Sequence, residues 1–179
     1  MYFYLLGFYF RFHYSCLSYS SNLREMASGR THVSATVLLT PLTAYATWQL
    51  TGGDTALTAI AGAGCLSGIF ISPDLDLSGK TISETLLNKW ILGAGWLWML
   101  LWYPYAKFSK HRGCSHVPII GTVGRIVYMS IFYLGAHFIL QHYYATDLLI
   151  WPQLYWQQLL IFAGGLTISD IGHWALDKW

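Results

Sequence analysis

The sequence predicts an all-α protein: a bundle of about four membrane-spanning helices with one short, Trp-rich helix half embedded in the bilayer. Two observations lead to this fold class. The 179-residue chain is 55% hydrophobic and only 10% charged, whereas a soluble domain carries about 25% charged residues. So little charge could not cover a surface exposed to water, and lipid is expected to cover much of it. The apolar residues also gather in long runs, as in spans of about 20 residues.

Residues 1–25 differ from the rest of the chain. They are rich in Tyr, Phe and Ser, and Arg11 and His13 interrupt the apolar stretch, so the ordered regions of a secretory signal are missing. We predict that 1–25 is a leader outside the native protein, which would then start at Met26. The alternative is an interfacial anchor, because aromatic residues favour the headgroup zone. Residues 26–179 form the predicted membrane-embedded domain.

Four apolar runs are the predicted spans, at 34–50, 55–72, 117–140 and 148–169. The second run contains Gly62, Gly64 and Gly68. Because small residues let helices approach closely in lipid, we expect this helix to sit centrally. A fifth run, 90–103, is short, rich in Trp and stopped by Pro104. Its length and its Trp content indicate a half-embedded segment.

The distribution of charge favours this topology. If the run 90–103 does not cross, both termini and the loops 73–89 and 105–116 share one side of the membrane. That side carries Arg30, Lys80, Lys89, Lys107, Lys110, Arg112 and Lys178, whereas the opposite loops, 51–54 and 141–147, carry no Lys or Arg. By the positive-inside rule the basic side is cytoplasmic, and both termini lie there.

The same topology gathers the candidate metal ligands on the cytoplasmic side. They are His32, Asp74, Asp76, His111, His116, Asp170, His173 and Asp177. In an extended turn, which Pro73 favours, the carboxylates of Asp74 and Asp76 would point the same way, and paired carboxylates ligate divalent cations. The alternative is an ordinary turn at a helix end.

The C-terminal candidates follow helical spacing. Asp170, His173 and Asp177 are spaced i, i+3, i+7 and share one face if the last helix continues. His173 and Asp177 would bind one ion, or Asp177 would orient the His173 ring. The alternative is an amphipathic C-terminal turn with its polar face in water.

Two histidines flank Gly113, which permits an unusual turn. Pro118 suits the first turn of the next helix, so His116 would lie near a helix N-terminus. The partial positive charge there disfavours imidazolium, and the neutral imidazole is the form that binds metal. His111 is the other candidate ligand in this loop.

Two arginines are the predicted phosphate contacts. The alternative for the loop at 111–116 is a basic collar against anionic headgroups, which Lys107 and Lys110 fit best. Arg112 suits either role, because a guanidinium can pair bidentately with phosphate. Arg125 lies about two turns into the third predicted span, where an arginine is costly and by default functional. We expect it to contact a lipid phosphate or one of the carboxylates, with snorkelling to the interface as the alternative.

Three motifs carry a resemblance to a known family. Ser-Gly-Arg-Thr-His at 28–32, Ser-Pro-Asp-Leu-Asp at 72–76, and His-Arg-Gly-Cys-Ser-His at 111–116 with Pro-Ile-Ile-Gly-Thr at 118–122 occur in the same order in a family of uncharacterised membrane proteins described as metal-binding. The chain resembles this family over 28–177. Val33 stands where the family often has Asp, which removes one potential ligand.

A more distant resemblance bears on activity. The Pro-Asp-Leu-Asp, His-Arg-Gly and terminal His-x-x-x-Asp elements are similar to those of inner-membrane metal-dependent hydrolases. This similarity implies an ancestry among phosphoester or lipid hydrolases.

The predicted function follows from the ligand types. A His/Asp set suits Zn, with Mn or Fe as alternatives, and a pair of ions would account for the excess of carboxylates. We predict hydrolysis of a phosphoester or lipid at the cytoplasmic face, with membrane lipids and no nucleic acid as partners. Metal transport or sensing is a second class, although transport favours ionisable residues deep in the spans. A structural metal is a third, because closed and open coordination shells use the same ligands.

Overall fold

The structure, a computed structural model, describes residues 28–76, 81–109 and 113–178. Within these ranges every regular element is helical, as predicted. The α-helices are α1 (Gly29–Leu50), α2 (Thr55–Ser67), α3 (Ile82–Trp90), α4 (Ala94–Phe108), α5 (Pro118–Tyr144), α6 (Ile150–Leu154) and α7 (Trp156–Lys178). Two 3₁₀ helices, Pro73–Asp76 and Cys114–His116, join them. The predicted leader 1–25 and the candidates His111 and Arg112 lie outside the described residues.

Short polar side chains cap the N-termini of three of the helices. The Ser28 hydroxyl accepts a hydrogen bond from the Thr31 N–H at 3.4 Å at the start of α1, and Asp54 accepts one from the Leu57 N–H at 3.0 Å at the start of α2. Thr81 caps α3 in the same way. These caps satisfy N–H groups that have no partner within the helix. Pro118 occupies the first turn of α5, as predicted.

Helix α2 packs closely against its neighbours α7 and α1. The predicted central position belongs to α7 instead, which contacts α1, α2, α5 and α6. A Cβ atom on Gly64 would collide with the carbonyl oxygen of Phe162 in α7, and one on Gly165 would collide with the carbonyl oxygen of Ala61 in α2. The two backbones therefore touch where they cross, which only glycine allows at these positions.

Two helices, α5 and α7, are long and apolar enough to cross a membrane by length and composition. The finer prediction of four spans is not confirmed. Helix α1 has 22 residues, but its threonines lower its mean hydropathy. Helix α2 has 13 residues, about 20 Å at 1.5 Å per residue, against a hydrocarbon core of about 30 Å. After Ser67 the chain tightens into turns, with the Gly68 N–H bonded to the Cys65 carbonyl at 3.0 Å.

The prediction that Pro104 ends the Trp-rich helix is wrong. Helix α4 starts at Ala94, after a break at 91–93, and continues through Pro104 to Phe108. The Tyr128 hydroxyl of α5 donates to the Leu101 carbonyl in the turn before the proline, and the Trp102 ring packs on Tyr128 with 5.2 Å between ring centroids. Packing on α5 thus supports the helix across the residue that usually ends one.

The predicted extended turn at Asp74 and Asp76 is also wrong. The Leu75 N–H bonds to the Ser72 carbonyl at 3.2 Å, and the segment is a 3₁₀ helix. Leu75 is buried, so burial of this apolar side chain holds the tight turn in place. The two carboxylates therefore leave the backbone in different directions.

The distribution of burial is the reverse of that in a soluble domain. Among the described residues five hydrophobic side chains are buried, against fifteen polar or charged ones. Large apolar side chains lie on the outer surface along most of α4, α5 and α7. The polar interior includes the candidate ligands.

Candidate metal site

Six of the predicted ligands lie together where several helices end. They are His32 in the first turn of α1, Asp74 and Asp76 in the first 3₁₀ helix, His116 at the end of the second 3₁₀ helix, and His173 and Asp177 on α7. The two 3₁₀ helices contact each other. Helix α7 continues to Lys178, nine residues beyond the predicted end of the last span at 169, so its His and Asp share one face as expected.

Two imidazole nitrogens and two carboxylate oxygens lie close together, and Asp74, His116 and His173 form a group whose ligand atoms lie within 4.8 Å of one another. The Nε2 atom of His116 lies 3.5 Å from Asp74 Oδ1 and 3.9 Å from Asp177 Oδ2. The Nε2 atom of His173 lies 3.5 Å from Asp74 Oδ1 and 3.4 Å from Asp177 Oδ2. Each imidazole nitrogen therefore faces both carboxylates.

These separations fit a metal coordination shell better than direct hydrogen bonds. A hydrogen bond from nitrogen to oxygen spans about 2.7–3.2 Å, which is shorter than all four distances. Zinc bonds of about 2.0–2.1 Å in a tetrahedral site place neighbouring ligand atoms about 3.3–3.4 Å apart. His173 Nε2 is buried, and no described residue gives it a hydrogen bond. The donors and their spacing therefore fit a divalent ion.

Asp76 contacts the opposite side of the His116 ring from Asp74. Its Oδ2 lies 3.3 Å from His116 Nδ1 and accepts a hydrogen bond from the Ser115 hydroxyl. A carboxylate at Nδ1 keeps the proton on that nitrogen and leaves Nε2 as the metal-binding atom. The geometry thus makes Asp76 a residue that orients a ligand.

His32 has a similar relation to Asp177. Its Nε2 lies 3.2 Å from Asp177 Oδ1, whereas Oδ2 of the same carboxylate faces His116 and His173. The His32 ring stacks on the His173 ring with 3.7 Å between centroids and 10° between planes. His32, His173 and Asp177 also form a group whose ligand atoms lie within 4.8 Å of one another.

The electrostatics of the cluster are dominated by its imidazoles and carboxylates. Burial alone would raise the pKa of Asp74, but the neighbouring His116 and His173 imidazoles lower it well below its usual range. Burial alone would lower the pKa of His116, but the Asp74 and Asp76 carboxylates raise it above its usual value. The metal-free cluster therefore attracts positive charge, whether from protons or from a metal ion.

Asp170 is turned away from this cluster. Its Oδ2 accepts hydrogen bonds from Arg125 and from the Thr122 hydroxyl of α5. Arg125 is wholly buried and Asp170 is 1% exposed. The predicted contact of Arg125 was either a lipid phosphate or a carboxylate, and in the structure it is the carboxylate of Asp170.

Two hydroxyl residues of the site went unnoticed in the sequence. Ser115 supports Asp76, and Thr122 supports Asp170. Both lie inside the motifs at 111–122, so a signal was present. Hydroxyl groups are common, however, and their partners, Asp76 and Asp170, lie 39 and 48 residues away in sequence.

A small cavity adjoins the candidate ligands. Its volume is about 20 Å³ and its lining includes His32, Asp74, His173, Ser72 and Ser83. A cavity of this size holds about one water molecule. The Asp74 side chain is 23% exposed, the largest exposed fraction among the four converging ligands, so the site is reached from its side.

Comparison with known proteins decides the family. A family model described as "Uncharacterized metal-binding protein (DUF2227)" matches residues 27–179. The chain belongs to this family. The description says that the family binds metal without naming which one, and the buried His/Asp cluster of this member offers ligands for an ion.

Other relatives add little beyond the family. An "Uncharacterized protein" of Aquifex aeolicus (strain VF5) is 39% identical over 70 residues, which are 38% of this chain and 43% of that protein. The chain thus matches under half of that relative's length. No solved structure matches the chain. The predicted metal-binding family is confirmed, and the resemblance to hydrolases stays a prediction.

Proposed function

We propose that this family member is an integral membrane protein that uses one divalent ion, zinc being favoured, to hydrolyse a phosphoester or lipid at the cytoplasmic face. The observation that carries the proposal is the convergence of His116, His173, Asp74 and Asp177 at separations of 3.4–3.9 Å. Two imidazoles and two carboxylates suit zinc, with manganese or iron as alternatives.

Burial and hydropathy support the membrane part of the proposal. Helices α5 and α7 meet the length and hydropathy of spans, and the apolar side chains of the bundle face outward while its polar ones face inward. Lipid is the environment in which that arrangement is favourable. The one-sided distribution of Lys and Arg supports cytoplasmic termini.

Different residues of the chain have different roles in the proposed hydrolysis. When bound, zinc lowers the pKa of a coordinated water to about 7 and polarises a phosphoryl oxygen. His116, whose Nδ1 lies beside Asp76, and His173, stacked on His32, would hold the ion through Nε2. The cavity of about 20 Å³ beside them gives room for one water. Arg112, four residues before His116 in the sequence, is the proposed phosphate contact.

Elemental analysis of the purified full chain tests the metal site. Wild type is expected to carry about one zinc per chain, whereas His116→Ala and Asp74→Ala lose it. His142→Ala is the matched control, because His142 lies at the other end of α5 and should leave the metal content unchanged. Metal content that stays the same in both site variants contradicts the proposal.

A structural zinc is the second candidate, and one observation favours it. Four protein ligands fill a tetrahedral shell, as in structural sites, whereas catalytic zinc sites typically keep three and an open position. Replacing zinc by cobalt and adding azide separates the two. A change in the visible spectrum means that an added anion reaches the ion, and an unchanged spectrum favours the structural role.

The orientation in the membrane has its own test. A single cysteine placed at Ser109, in a chain whose three native cysteines are replaced, should react with a membrane-impermeant thiol reagent only from the cytoplasmic side. Labelling from outside alone would contradict the proposed topology, because it would put the loop before His116 on the other side.

A further inference from the structure

Helices α5 and α7 are joined by a buried polar cluster near the proposed metal site. The Arg125 guanidinium and the Thr122 hydroxyl both donate to Asp170 Oδ2. The Thr167 hydroxyl of α7 donates to Thr122 at 3.3 Å. These contacts connect two helices whose other surfaces are largely apolar.

The cluster is costly to bury. Arg125 Nε and Nη1 and Asp170 Oδ1 are buried and have no hydrogen-bond partner within the described ranges. A buried ion pair is weak evidence for stability, because desolvation offsets the attraction between its charges, but it can specify how elements pair. We therefore interpret the Arg125–Asp170 pair as a contact that specifies how α5 packs against α7.

The cluster lies close to the ligands on both helices. Asp170 precedes His173 by three residues on α7, about 4.5 Å along the helix axis. Arg125 lies seven residues into α5, which directly follows the 3₁₀ helix that ends at His116. A slip of one helical turn between the helices, about 5.4 Å, would keep apolar surfaces in contact but would separate the ligands.

We propose that the buried Arg125–Asp170 pair positions the metal ligands by fixing the register of α5 against α7. Coordination requires His116 and His173 to hold their nitrogens near one ion, and the 3.4–3.9 Å separations leave little tolerance. The inference rests on the proposed metal site and assigns these two residues a role outside coordination.

The main test replaces the pair by apolar residues of similar size. The double variant Arg125→Met with Asp170→Leu is expected to stay helical and to keep its thermal stability, because no charge is left unpaired. Its zinc affinity, measured by competition with a chelator in detergent micelles, should fall about 10–100-fold. Cobalt-substituted protein should show an altered visible spectrum, which a purely stabilising role would not produce.

Tyr133→Phe provides the matched control. It removes another polar contact of α5, the hydrogen bond that the Tyr133 hydroxyl donates to the Leu148 carbonyl, and should leave zinc affinity within about threefold of wild type. The double variant Arg125→Lys with Asp170→Glu keeps a charge pair of similar total length. We expect it to restore most of the affinity, which gives a second measurement if the apolar variant does not fold.

The outcomes separate this inference from the proposed function. Zinc affinity of the apolar variant within about threefold of wild type overturns the positioning role and leaves the metal site standing. Equal losses in the apolar variant and in Tyr133→Phe also overturn it, since any loosened contact of α5 would then suffice. A wild-type chain that binds no zinc, manganese or iron overturns the proposed site and the positioning role with it.

Discussion

Replacing each of the two stacked histidines separately should distinguish a metal ligand from a residue that orients one. His173 Nε2 faces both Asp74 and Asp177, at 3.5 and 3.4 Å. Among the carboxylates of the described residues, His32 Nε2 contacts that of Asp177, at Oδ1 and 3.2 Å, whereas His116 and His173 face Oδ2. We therefore expect His173→Ala to weaken zinc binding far more than His32→Ala.

The magnitudes follow from the number of ligands. Structural zinc sites with four ligands bind with about 10–16 kcal/mol, so one ligand is worth roughly 2.5–4 kcal/mol, or about 10²–10³-fold in affinity. Loss of a residue that orients a ligand costs about 10–100-fold. His173→Ala should reach the first range and His32→Ala the second.

The assay is competition for zinc against a chelator of known affinity, with circular dichroism of each metal-free variant as the folding control. The refuting result is a loss in His32→Ala that equals or exceeds the loss in His173→Ala. That result would make His32 a ligand in its own right, in the group that it forms with His173 and Asp177, and would favour two ions over one.

Three further predictions concern packing, orientation and pH. Gly64→Leu should lower the free energy of unfolding by about 1–3 kcal/mol or more, because the leucine side chain would collide with the backbone of α7. Denaturant unfolding measures this change. Gly135→Leu is the neutral control, because a Cβ atom there meets nothing within 4 Å. Asp76→Asn should retain zinc but bind it about 10-fold more weakly by chelator competition, and unchanged affinity would argue against the orienting role. The raised pKa of His116 means that protons compete with zinc near neutral pH, so calorimetric affinity should rise from pH 6 to pH 8. In the metal-free protein the same shift stabilises the fold below the usual histidine pKa, and this contribution is lost as pH rises through the raised value; a zinc affinity independent of pH would contradict this assignment.

Much of the fold was predictable from local features of the sequence. The glycines of α2 indicated close helix packing because a small residue lets whichever helix is adjacent approach closely. Pro118 indicated the start of α5 because proline has no backbone N–H, and the first turn of a helix does not use that N–H in a hydrogen bond. The residue types in the motifs identified six side chains that lie together, because His and Asp are rare in so apolar a chain.

Other features depended on contacts that the sequence does not display. Pro104 usually ends a helix, and only the packing of α4 on Tyr128 shows why this one continues. Asp170 was a candidate metal ligand from its helical spacing to His173, whereas the structure pairs its carboxylate with Arg125 from another helix. In both cases a partner distant in sequence outweighs a local signal.

The corrected turn at Pro73–Asp76 changes the argument about the number of ions. In an extended strand, residues two apart point the same way, so Asp74 and Asp76 would both face the metal, and the excess of carboxylates would call for a second ion. In a 3₁₀ helix each residue turns by about 120°, so the two carboxylates diverge and Leu75 takes the buried direction. They then meet opposite nitrogens of one His116 ring, Asp74 at Nε2 and Asp76 at Nδ1. With Asp170 paired to Arg125 as well, only two carboxylates remain beside the two converging imidazoles, and a single ion suffices to use them all.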